Sequence, residues 1–142
     1  MADPAALANR LAQLHARSGL LLRPWSEQEY QDLLALDRTI VTETNAGFAI
    51  GQIIATEAEL LMIVVEPDRR KVGAGRTLLD TFEDRCRKRN VTEIFLEVGE
   101  SNQAARRLYS KAGFHQVGLR KNYYTQTDNT KDSAVILLKN LR

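Results

Sequence analysis

Cysteine occurs once in this sequence, at Cys86, which excludes an internal disulfide and any zinc site built from several cysteines. Histidine occurs twice, and His15 and His115 stand isolated, so no metal site is expected. No apolar run approaches the roughly 20 residues that span a bilayer, so no membrane contact is expected. Met1-Ala2-Asp3-Pro4 lacks a basic stretch followed by an apolar one, so no secretory signal is expected. Neither sign of charge dominates: the net charge is +2 with acidic and basic residues interleaved. Charge alone therefore gives no reason to expect direct nucleic-acid binding. Repeats, low-complexity segments and linkers are also missing. These absences leave a soluble cytoplasmic domain as the expectation.

What is present fits that class. A chain of 142 residues suits one domain, here residues 1–142, able to bury roughly two-thirds of its unfolded surface. Its 44% apolar and 27% charged content is ordinary for a globular protein. Asp3-Pro4 is a good helix start, and Leu7, Leu11 and Leu14 recur at helical spacing until Gly19 offers a stop. Ser26-Glu27-Gln28-Glu29 has capping-box spacing, and Tyr30, Leu33 and Leu34 give a second helix its apolar face. Between them lies Leu20-Leu21-Leu22, an apolar loop that something must cover.

From Thr39 the period changes. Ile40-Val41, Phe48 to Ile54 and Leu60 to Val65 are short β-branched runs broken at Asn45-Ala46-Gly47 and at Glu57-Ala58, which reads as a meander. Gly73 to Arg89 is helical, with Ala74, Leu78, Leu79, Phe82 and Cys86 on one face and charges opposite. Val91 to Val98 reads as a strand covered on both faces. A short helix capped by Ser101 or Asn102 ends at Gly113, and His115 to Tyr124 and Ser133 to Leu138 close the order ααβββαβαββ. The fold class is α/β, a mixed α+β sheet with helices packed on it, and the step from Leu60 to Val98 should be a right-handed parallel crossover.

Arg70-Lys71-Val72-Gly73-Ala74-Gly75-Arg76 lies between a strand and a helix, where a glycine-containing turn can hold phosphate. Small residues let the backbone approach the ligand, and free amides at the helix start face its charge. Arg70, Lys71 and Arg76 would reinforce that field. The loop lacks the Gly-Lys-Ser/Thr ending of a nucleoside-triphosphate loop and the third glycine of a dinucleotide fingerprint. An ordinary basic turn remains the alternative.

The pattern Arg/Gln-x-x-Gly-x-Gly/Ala, filled by Arg70, Gly73 and Gly75, resembles the GNAT family of N-acetyltransferases. Further segments narrow the resemblance to ribosomal-protein-alanine N-acetyltransferases (RimI-type). These are Pro24-Trp25-Ser26-Glu27, Val65-Glu66-Pro67-Asp68, Leu96-Glu97-Val98, Ser101-Asn102, Leu108-Tyr109, Gly113-Phe114, Asn122-Tyr123-Tyr124 and Lys131-Asp132-Ser133-Ala134. The match runs from about Pro24 onward, and it rests on order and spacing more than on any one piece. It implies the GNAT acyl-CoA N-acyltransferase fold, acetyl-CoA as cosubstrate with no metal, and a protein or peptide N-terminus as partner. The N-terminal alanine of a small-subunit ribosomal protein is the acceptor so implied.

Glu97 is the oddest residue on physical grounds, because a charge in Ile94-Phe95-Leu96-Glu97-Val98 must be desolvated unless hydrated or paired. A strand-end carboxylate reaching solvent or a nearby arginine is the plain alternative; the resemblance makes Glu97 the general base, directly or through water. Tyr109, beside Ala105, Leu108 and Ala112, reads by itself as a packed aromatic, and the resemblance makes it the acid that protonates the departing thiolate. By the same resemblance Asn102, otherwise a helix cap, hydrogen-bonds the CoA arm. Ile63, Val64 and Val65, otherwise core, hold the pantetheine and thioester through their backbone. Lys71, Val72, Ala74 and Arg76 join Arg70, Gly73 and Gly75 in the cofactor loop, and Tyr123 and Tyr124 line the peptide groove. Cys86 reads as a core thiol.

The implied reaction is direct transfer to a free amine in a ternary complex. An α-amine costs about 1.4 kcal/mol to deprotonate at pH 7, against about 4.6 for lysine, so one carboxylate base suits an N-terminal substrate better. Two other functions stay open: acetylation of a small-molecule amine, and a non-catalytic CoA-binding interaction module. The chain also departs from the family pattern, which places a strand before the first helix. That strand is absent here, which leaves the sheet edge beside the Ile40 strand open to pairing with another chain.

Overall fold

The computed structural model describes residues 3–20, 22–70 and 73–142. Two helices come first, α1 (Pro4–Arg17) and α2 (Glu27–Leu34), then a meander of β1 (Thr39–Thr44), β2 (Gly47–Ile54) and β3 (Glu57–Val65). A 3-10 turn at Pro67–Arg69 leads to α3 (Ala74–Lys88), β4 (Glu93–Gly99), α4 (Gln103–Lys111), β5 (His115–Thr125) and β6 (Lys131–Asn140). This is the expected order.

The helix starts form as their sequences dictate. Asp3 Oδ1 accepts from the Ala5 amide at 3.0 Å, with Pro4 in the first turn. Ser26 Oγ accepts from Glu29 N at 3.1 Å while Glu29 Oε1 accepts from Ser26 N at 2.9 Å, a complete capping box. Each such cap contributes about 1 kcal/mol. α1 ends on Ser18, and Gly19 follows with φ +75°, the left-handed step that a C-terminal glycine supplies.

The strands form one sheet in the order β1-β2-β3-β4-β6-β5, antiparallel except where β3 meets β4. Successive β2 residues point to opposite cores. Ala49 and Ile53 pack with Leu78, Leu79, Phe82 and Cys86 of α3, whereas Phe48 and Ile50 pack with Ala8, Leu11 and Leu14 of α1 and Tyr30 of α2. The sheet is thus covered on both faces.

Two expectations need correction. The second break in the meander falls at Ala55-Thr56, not Glu57-Ala58: Ala55 takes φ +55°, and Ala58 is needed inside, where it is 1% exposed against the α3 core. The charged residues of α3 do not all lie opposite the core, because Glu83 is 2% exposed and accepts from Lys139 Nζ of β6 at 2.6 Å. The sheet edge at β1 is open as expected, though side chains of the same chain reach it. Beyond β1 no further strand lies among the described residues. Arg85 of α3 donates to the Val41 carbonyl, and Arg10 of α1 binds Glu43 through bonds of 3.1 and 3.0 Å.

Candidate active site

The site arises from a fault in the sheet. β3 and β4 share only the pairs Glu57↔Glu93, Ala58↔Ile94 and Glu59↔Phe95, and beyond these they separate. On β3, Leu60 faces Gly51 and Met62 faces Ile50, so Leu61 is an extra residue, a bulge. A bulge bends its strand and reverses the phase of the residues that follow. Accordingly Ala58 and Leu60 point to the α3 core, whereas Met62 and Val64 point to the α1 side. β4 stays paired with β6 along its whole length. The gap is a cleft of about 570 Å³, walled by Leu61, Met62 and Ile63 on one side and by Glu97, Val98 and Gly99 on the other.

Glu97 and Tyr109 both line this cleft. The Glu97 side chain is 23% exposed, with Arg120 Nη2 at 3.5 Å from Oε1, so the plain alternative of an arginine partner holds alongside the cleft position. The Arg120 guanidinium also lies 5.0 Å from the Tyr123 ring centroid. Tyr109 is buried, edge-on to Phe114 with ring centroids 5.6 Å apart. Burial pushes its phenol well above the ordinary value of about 10, so it is protonated at neutral pH. Tyr124 lines the cleft too, its phenol pushed up to about 12 by burial and then by the charge of Glu97. Burial, reinforced by Glu97, also raises the Glu59 carboxyl on β3.

Asn102 lines the cleft while its Oδ1 caps α4, accepting from Ala105 N at 3.2 Å. Ile63 faces the cleft, Val64 is buried toward α1, and Val65 packs toward α3. Tyr123 is 53% exposed and lies outside the cleft lining. Leu20 and Leu22 line the cleft rather than being covered, and Leu21 lies outside the described residues. Cys86 is fully buried, its thiol pushed up to about 11 by burial first and Glu83 second, consistent with an inert core group. Among the described residues no group of three or more His, Cys, Asp or Glu could hold a metal ion.

Of the cofactor loop, Lys71 and Val72 lie outside the described residues. Gly73 sits at φ +82°, a conformation that side chains resist, and it opens α3. The first α3 amide to meet a main-chain carbonyl among the described residues is Thr77 N, on Gly73 O at 3.1 Å; the amides of Ala74, Gly75 and Arg76 precede it in the first turn. Gly75 lies against α4 and β3, where an added Cβ would stand 3.5 Å from a Leu108 methyl and 3.9 Å from a Val65 methyl. The Arg70 guanidinium donates to the Ser18 carbonyl, and Arg76 pairs with Asp80 at 3.0 Å.

Three residues in or beside the cleft escaped the sequence reading. Arg120 is one. Asp132 is another: it accepts from Ser101 Oγ at 2.8 Å and from Ser133 N at 3.0 Å, tying the turn before α4 to the start of β6. A Cβ on Gly99 would come 2.6 Å from its Oδ2, so the glycine makes room for that tie. The third is His15, buried at the end of α1 yet lining the cleft. For Asp132 the signal was the Lys131-Asp132-Ser133-Ala134 segment; for the other two only the fold brings them in.

The profile of the acetyltransferase (GNAT) family matches residues 8–114. The ribosomal protein bS18-alanine N-acetyltransferase of Escherichia coli (strain K12) is 39% identical over 119 residues, 81% of this chain and 80% of that protein. Its namesake from Haemophilus ducreyi is 32% identical over 133 residues, 91% of this chain and 90% of that one. The crystal structure of ribosomal-protein-S18-alanine N-acetyltransferase from Escherichia coli superposes with a TM-score of 0.82 at 35% identity, covering 97% of this chain and 86% of that one. Arabidopsis thaliana NAA60 in complex with acetyl-CoA shares the fold, with a TM-score of 0.79 at 16% identity over 94% of this chain and 93% of that one.

Proposed function

Because the chain belongs to the acetyltransferase (GNAT) family, we propose that it acetylates the α-amine of a protein N-terminus, the N-terminal alanine of ribosomal protein bS18. Its relatives at 39% and 32% identity carry that name, and this chain spans most of their length. The observation that carries the reading is the placing of Glu97 and Tyr109 on one cleft between the splayed strands. We further propose that residues 1–142 act as one domain, in the cytoplasm. Among the described residues no helix is long and apolar enough to cross a membrane.

The chain fits acetyl-CoA as cosubstrate, which supplies the acetyl group as a thioester. The first-turn amides and the positive end of α3 suit its diphosphate, and a Cβ added to Gly73 would meet no atom of the described residues beyond its chain neighbours within 4 Å, which leaves room for an anion. The edge of β3 released by the splay offers main-chain groups along the cleft wall at Met62 and Ile63. Asn102 stands at the cleft margin beside the start of α4.

Within that arrangement Glu97 takes a proton from the acceptor amine, directly or through water, and Tyr109 gives one to the sulfur as the thioester opens. Each such acid–base step is typically worth about 10²–10⁴-fold. Tyr124 lines the acceptor side, and Tyr123 holds Arg120 near Glu97. The deciding experiment offers acetyl-CoA with a panel of peptides and amine metabolites, reading thiol release and locating the acetylated nitrogen by mass. Acetylation of the α-nitrogen of an alanine-starting peptide is expected. Turnover of metabolites alone, or of no acceptor, would overturn the reading.

A further inference from the structure

His15 is the buried titratable group that the chemistry above leaves idle. It is 2% exposed at the end of α1 and nevertheless contributes to the cleft wall. Its Nδ1 accepts from the main-chain amide of Trp25 at 3.1 Å, and the Tyr30 hydroxyl lies 2.9 Å from the same nitrogen. A main-chain N–H can only donate, so Nδ1 carries no proton, and in the neutral ring the proton sits on Nε2. Neutrality is favoured: burial, and then the charge of Arg23, lowers the imidazole's pKa against a smaller opposing effect of Glu29.

Nε2 has no hydrogen-bond partner among the described residues. The open space against His15 is the cleft, which this residue helps to line. The cleft lining that it joins includes Leu20, Leu22, Arg23, Trp25 and Met62, and of these side chains only the weak Met62 sulfur could accept from an N–H.

We propose that His15 Nε2–H is a binding donor for a main-chain carbonyl oxygen of the acceptor, so that the cleft selects a peptide over a simple amine. The inference rests on the peptide-acceptor reading and deepens it. A neutral N–H is matched by a neutral oxygen, and a peptide presents one on each residue beside its terminal amine. An amine without that oxygen leaves the donor dry and unpaired, a loss of about tenfold in kcat/KM for one neutral hydrogen bond.

Two substitutions separate this role from mere scaffolding. His15→Asn places an amide oxygen near the Nδ1 position, keeping the acceptor for Trp25 and removing the Nε2 donor. His15→Gln does the reverse. Each variant and the wild type would be assayed on an alanine-starting peptide and on the same peptide with its first or second peptide bond replaced in turn by an (E)-alkene isostere. For the wild type, one isostere should lose about tenfold in kcat/KM. H15N should lose about tenfold on the normal peptide and nothing further on that isostere, with the KM for acetyl-CoA and the melting temperature unchanged. H15Q should keep the preference for the carbonyl.

Equal wild-type rates on all three peptides would overturn the inference even if a variant failed to fold. So would an isostere loss that persists undiminished in H15N. Absence of peptide turnover by the wild type would instead count against the proposed function itself.

Discussion

Tyr109→Phe isolates one oxygen atom, and the structure sets what its removal should do. The ring is buried against Phe114 with centroids 5.6 Å apart, and phenylalanine preserves that contact. The hydroxyl has no hydrogen-bond partner among the described residues and borders the cleft, so losing it should cost under about 1 kcal/mol of stability. Turnover should respond very differently. Loss of a positioned acid lowers kcat by about 10²–10⁴-fold, or about 2.7–5.4 kcal/mol in the barrier. Acetyl-CoA affinity, measured calorimetrically, should stay within twofold. The pH dependence follows from the direction of the pKa shift. Burial raises the phenol, so the acid form persists through pH 10 and the wild-type kcat should show no tyrosine limb below it. Unchanged kcat in Y109F on an α-amine acceptor would refute the assignment. A stability loss of several kcal/mol would refute the claim that the hydroxyl is unpaired.

Glu97→Gln should lower kcat by at least about 10²-fold while sparing acetyl-CoA binding, and release of Arg120 should leave folding intact because the 3.5 Å pair is partly exposed. Gly73→Val should abolish acetyl-CoA binding, as read by calorimetry, since φ +82° is strained for valine; normal affinity would remove the loop from the site. Lys139→Met should cost about 2–4 kcal/mol in urea unfolding, because it strands Glu83 with only Arg87 at 3.5 Å, and the double variant with Glu83→Met should recover most of the loss. Stability should fall as pH rises above about 10. Burial raises Tyr30, Tyr109 and Tyr124, so the unfolded chain loses those protons first and the advantage of the folded state fades as pH climbs through their folded values.

The element order and the helix starts could be read from the chain because each rests on local rules, caps and periodicity. Glu97 stood out as a charge in an apolar strand, whereas Tyr109 read locally as a core aromatic and was singled out only by the family resemblance. The cleft itself could not be read, and β3 explains why. Up to Leu60 the strand alternates, Glu57-Ala58-Glu59-Leu60, and then it runs apolar from Leu61 to Val65. Alternation tells which residues face inward only while one face is dry. Where both faces are buried the phase is silent, so the slip at Leu61 leaves no mark beyond the loss of alternation. Yet the slip lies where β3 parts from β4 and leaves the strand edge beside the cleft. The same limit hid His15. Helical spacing put Leu7, Leu11 and Leu14 on the inner face, but only the packing of α2 shows Trp25 and Tyr30 claiming one imidazole nitrogen and leaving the other for the cleft. Local order therefore locates the chemistry on the chain, and long-range register decides which groups share a space. A substitution that shifts that register, such as deleting Leu61, should close the cleft and abolish turnover while leaving every proposed catalytic residue in place in the sequence.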